Sequence, residues 1–124
     1  MSEMGKLIDQ INIAEEKGDI PKAFKLYKKA AELGNVVAMA EVGSLYLTGK
    51  GGEQNNEDGF RWCLKAAENG YPNAMAMVAR MYELGIGTAP DIDEALNWYI
   101  EAANAGEPHA KKFMDNLFKS NTDN

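Results

Sequence analysis

What this 124-residue sequence lacks narrows its chemistry before any motif is read. It has one cysteine, Cys63, so no internal disulfide can form and the fold cannot depend on an oxidising compartment. Its one histidine, His109, has no second imidazole with which to share a metal. Basic residues are in deficit: 13 Lys and Arg against 19 Asp and Glu give a formal net charge of -6 and a pI near 4.8. A nucleic-acid backbone is bound by a basic patch that releases counterions, so nucleic acid is not the expected partner. No run approaches the roughly 18 apolar residues of a membrane span. The opening Met1-Ser2-Glu3-Met4-Gly5-Lys6 leads into no apolar signal region either. The expectation is a cytoplasmic protein without membrane contact.

What the sequence has is repetition. Gly34, Gly70 and Gly106 recur at a step of 36 residues, as do Ala38, Ala74 and Ala110. Asp19, Asn55 and Asp91 keep the same step, and so do Tyr46, Tyr82 and Phe118. Trp62 answers to Trp98, Gly49 to Gly85, and Gly51 to Gly87. Each unit reads as two helices joined by a loop. First helices are expected over 36–48 and 72–84, where small residues admit a close neighbour and large ones fill the gaps. Second helices open at Asp19, Asn55 and Asp91, whose side chains can cap exposed backbone N–H groups. Asp91 and Glu94 have the spacing of a capping box. A lone helix over about 108–119, polar on its outer side, closes the array as a cap, with 120–124 expected to fray.

These patterns predict an all-α fold: a right-handed α/α superhelix of about three hairpins plus a C-terminal capping helix, within one domain. The units cover about 5–34, 35–70 and 71–106. The run Ala38-x-x-x-Val42-Gly43-x-x-Tyr46-x-x-Gly49-x-Gly51, followed by Trp62-x-x-x-Ala66-Ala67-x-x-Gly70, resembles the Sel-one-like repeat, a relative of the tetratricopeptide repeat. The copy from Ala74 to Gly106 resembles it again. The resemblance implies an adaptor or scaffold that binds proteins. A single cysteine departs from secreted relatives that carry a cysteine pair in every repeat.

By analogy with tetratricopeptide arrays, first helices line the concave side, and a ligand would meet the positions between the packed ones. Those positions form columns through Asn73 and His109, through Ser44, Arg80 and Asn116, and through Glu41, Met77 and Phe113, with Glu83 and Lys112 beside them. Arg80 can hold a carboxylate through two parallel hydrogen bonds, Asn73 can satisfy backbone amides, and Met77 and Phe113 offer apolar area. The expected partner is a protein or peptide; weak self-association through the ends of the array is also open.

No catalytic, metal or cofactor residue is expected. Glu53, Glu57 and Asp58, like Asp91, Asp93 and Glu94, sit where negative charge complements a helix dipole, and they lack the order of a calcium loop. Gly49–Gly52 is followed by no Lys-Ser/Thr pair, so it is not a phosphate loop. Trp62 and Trp98 are read as core. The alternative function is an immunity protein that neutralises a cognate bacterial toxin, a role suited to a short acidic chain without export signal or appended domain; a hydrolase is a remote third.

Overall fold

Side-chain caps set the helix starts. Ser2 Oγ accepts from Gly5 N, Asp19 from Lys22 N, Asn35 from Ala38 N, Asn55 from Asp58 N and Asp91 from Glu94 N. The computed structural model describes residues 2–122, and among them these caps open helices joined by short loops. The helices are α1 (Glu3–Glu16), α2 (Ile20–Glu32), α3 (Val36–Thr48), α4 (Asn56–Glu68), α5 (Pro72–Leu84), α6 (Ile92–Asn104) and α7 (Pro108–Thr122). One expectation needs correction: α7 runs past Lys119 to Thr122. Ser120-Asn121-Thr122 contains neither glycine nor proline to stop it. Residues 123 and 124 lie outside the described residues.

The paired loop glycines have two distinct tasks. Gly49 and Gly85 end α3 and α5 in the left-handed region, at φ 74° and 72°, where a side chain would be strained. Gly51 and Gly87 instead let the loop touch the preceding hairpin. A Cβ on Gly51 would lie 2.7 Å from the Phe24 ring, and one on Gly87 would lie 2.1 Å from the Asn56 carbonyl oxygen and 2.9 Å from Phe60 Cβ. Phe24 and Phe60 hold equivalent repeat positions. Their rings meet Tyr46 and Tyr82 edge-on at 5.0 and 5.2 Å. Asn55 N donates to Tyr46 O and Asp91 N to Tyr82 O, both at 2.9 Å, closing each loop identically. The repeat is therefore a packing unit as well as a sequence period.

The core follows the alanine columns. Ala38, Ala74 and Ala110 are buried, as are Ala30, Ala66 and Ala102, with Val42 and Val78 fully enclosed between them. Alanine at these positions lets helices approach closely; a larger side chain would overpack the contact by about 1–3 kcal/mol. Trp62 and Trp98 differ from the expectation. They are half-buried and pack against the margin of the core rather than within it.

The closest helix contacts join each helix to the next in sequence, from α1 with α2 through α6 with α7. The array is an open right-handed α-solenoid and not a closed bundle.

Candidate ligand groove

Six of the residues singled out in the sequence come together. Asn73, Met77, Arg80 and Glu83 from α5, with His109 and Phe113 from α7, line one groove of about 710 Å³. Ala76, Leu84, Tyr99 and Glu107 complete it. The one-repeat offset between Asn73 and His109, and between Met77 and Phe113, places these pairs opposite each other on successive first helices. Glu41 and Ser44 lie on α3, one repeat away, and Lys112 and Asn116 are exposed on α7; none of these four lines the groove.

Sequence reasoning missed Tyr99 and Glu107. Tyr99 stacks on Phe113, with ring centroids 3.9 Å apart, and its hydroxyl donates to Glu83 Oε1 at 2.9 Å. Burial and the Glu83 carboxylate push that hydroxyl up to about 12. Glu107 is buried, and it caps α7: Oε2 accepts from Ala110 N at 2.7 Å, while Oε1 is 2.8 Å from His109 Nδ1. Burial alone would raise its pKa, but the hydrogen bonds from His109 and from the backbone at Ala110 and His109 together hold it below the usual glutamate value. A carboxylate can only accept, so Nδ1 carries the hydrogen of this contact, and Nε2 is on the exposed part of the ring. The cap column Asn35–Tyr71–Glu107 was the available signal: its first member caps α3 in the same way.

A second tyrosine–glutamate pair occurs at the other end of the array, where the Tyr27 hydroxyl donates to Glu15. Tyr27 and Tyr99 are equivalent, yet their partners stand 12 and 16 residues away, because the loop between α1 and α2 is four residues shorter. In the middle hairpin Cys63 takes the tyrosine position. Cys63 is enclosed against Gly43, where a Cβ would lie 2.5 Å from its Sγ, and burial pushes its thiol up to about 12. Such a thiol is inert packing at neutral pH.

The groove's polar inventory now separates. Glu83 and Glu107 are committed to Tyr99 and to His109 with the α7 backbone. The Arg80 guanidinium makes no ion pair among the described residues, and it stands exposed beside Met77.

The repeat geometry has known counterparts. The family model described as Sel1 repeat matches residues 13–35, 36–71 and 72–107. The chain belongs to the Sel1 repeat family. Sel1 repeat proteins are generally protein-interaction modules and typically non-enzymatic scaffolds. A Sel1 repeat protein from Oxalobacter formigenes superposes with a TM-score of 0.84 at 28% identity, over 93% of this chain and 47% of that one. The Helicobacter pylori cysteine rich protein B gives 0.71 at 20% identity, over 74% and 69%, a likeness of fold. A protective antigen of uropathogenic Escherichia coli with an SLR fold gives 0.70 at 32% identity, over 73% of this chain and 19% of that one. This Sel1 chain thus spans about half the length of the Oxalobacter protein and less than a fifth of the Escherichia coli antigen. No curated protein matches it. Among the described residues no helix is long and apolar enough to cross a membrane.

Proposed function

We propose that this Sel1 repeat protein is a non-catalytic interaction module that holds a protein or peptide on its concave face, in the groove between α5 and α7. The observation that carries the reading is the uncommitted Arg80 guanidinium beside an apolar floor of Met77, Tyr99 and Phe113, while the neighbouring carboxylates are already engaged. A ligand carboxylate or backbone carbonyl would take Arg80, and an apolar side chain would take the floor.

Affinity capture from native lysate with wild-type bait and with the double variant Arg80→Glu, Met77→Ala tests it. The double variant is expected to lose the captured partner while its far-ultraviolet circular dichroism stays unchanged, because both residues lie outside the core. Retention of the same partner by the folded variant would place the binding surface elsewhere.

Weak self-association has one specific support. Phe118 is 63% exposed on α7, where its equivalents Tyr46 and Tyr82 are half-buried against the preceding hairpin. Sedimentation velocity across a concentration series should show reversible association that Phe118→Ser removes.

A further inference from the structure

A second depression, of about 360 Å³, lies along α4 and α6 and shares no residue with the α5–α7 groove. Trp98 lines it together with Glu68, Glu94 and Glu101, over Met75. None of its lining residues is basic, and none of the three glutamates makes an ion pair among the described residues.

The preceding repeat shows the same position with its own cation in place. Trp62 is the equivalent of Trp98, and Lys65, one turn on, is the equivalent of Glu101. Lys65 Nζ stands 5.2 Å from the centroid of the Trp62 ring, within reach of the negative face of the indole. At Trp98 the repeat exchanges that lysine for a glutamate and the basic Arg61 for Asn97. Among the described residues no cation stands over the Trp98 ring, and the depression it lines carries three glutamates instead. The surrounding field has the same sign. Helix α2 carries four lysines, whereas α6 carries Asp93, Glu94 and Glu101 and no basic residue. Burial first, and then the carboxylates of Glu94, Asp91 and Glu68, raise the pKa of the nearby Tyr82 hydroxyl.

We propose that this depression binds a lysine or arginine side chain of a basic partner segment, seated on Trp98 and paired with Glu68, Glu94 and Glu101. The acidic α6 draws such a segment in, and the indole supplies the contact that bare carboxylates would not.

The full chain, with its two tryptophan indole N–H signals followed by NMR, tests this. Acetyl-Gly-Lys-Gly-Lys-Gly-amide should shift the Trp98 signal saturably, leave Trp62 in place, and lose affinity as salt is raised. The glutamate counterpart, acetyl-Gly-Glu-Gly-Glu-Gly-amide, should move neither. Glu101→Lys installs the residue type that the preceding repeat already carries, so the fold is kept; it should weaken binding by about tenfold or more. Met77→Ala should leave the titration unchanged, which separates this site from the α5–α7 groove. Equal shifts of both indoles, no shift at all, or full affinity in Glu101→Lys would overturn the proposal. So would a wild-type dimer whose Trp98 signal reaches its monomer position only on dilution, since a second copy would then be the occupant.

Discussion

Glu107 is the one buried charged side chain among the described residues, and its partners explain how it is tolerated. Its folded-state pKa is depressed, so the carboxylate form stabilises the fold. That stabilisation is fully present above the ordinary value of 4.5 and is lost as pH falls through the lower folded value. Glu107→Gln should cost about 1–2 kcal/mol at neutral pH, and urea unfolding curves of wild type and variant should converge on acidification. A gap independent of pH would mean that packing, and not charge, is what the glutamate supplies. Gly43 makes a different point. Gly43→Ala would drive a methyl into Cys63 Sγ, with Cys63 N and Gly59 O each only 3.1 Å away, and should destabilise by about 1–3 kcal/mol. Adding Cys63→Ala removes the sulfur but not the backbone atoms. The double variant is therefore expected to be less unstable than the two single losses added together, a coupling that a thermodynamic cycle measures directly.

At the scale of the helical element, the second loop glycine decides whether hairpins dock. Gly87 combines φ 72° with the approach to Asn56 and Phe60, so Gly87→Ala should cost about 2–4 kcal/mol. Gly18, at φ 70° with open space around it, provides the contrast: Gly18→Ala should show backbone strain alone, about 1–2 kcal/mol. Equal losses at the two positions would sink the docking role. Spacing in the sequence aligns Gly49 with Gly85 and Gly51 with Gly87 but cannot say that the two columns differ, because the difference is a contact with another hairpin. Helix starts were legible because capping is local chemistry: Asp19, Asn55 and Asp91 stand where they were expected. The tyrosine–glutamate pairs were hidden, since the shortened first loop breaks the step that would have aligned Glu15 with Glu83. Tryptophan misled for the opposite reason. Periodicity places Trp62 and Trp98 on the apolar stripe but does not say how deep they sit, and both stand half-buried at the edge of the core.

For the whole molecule, the dominance of contacts between sequence-adjacent helices makes stability approximately a sum of hairpins and interfaces. Helices α1 and α7 each pack extensively on one neighbouring helix, so their amides should exchange with solvent sooner than those of α3 and α4, which are flanked on both sides. Hydrogen-exchange mass spectrometry showing uniform protection along the chain would mean a cooperative block instead. The groove residues were legible at this scale too: a column of equivalent positions on successive first helices is a surface in any stacked array, which is why Asn73 and His109 could be paired from spacing. Their electrostatic state was not, because it depends on which carboxylates fold back onto Tyr99 and the α7 backbone.

The single file of helix contacts also gives the chain a mechanical character. A load applied between its ends passes mainly through the helix junctions in turn. Stretched in an optical trap, the molecule should yield in discrete steps at low force, with units 36–71 and 72–107 each lengthening the tether by up to about 120 Å and the shorter first hairpin by less. On relaxation the hairpins should re-dock one upon another, so that the protein behaves as a short refolding spring.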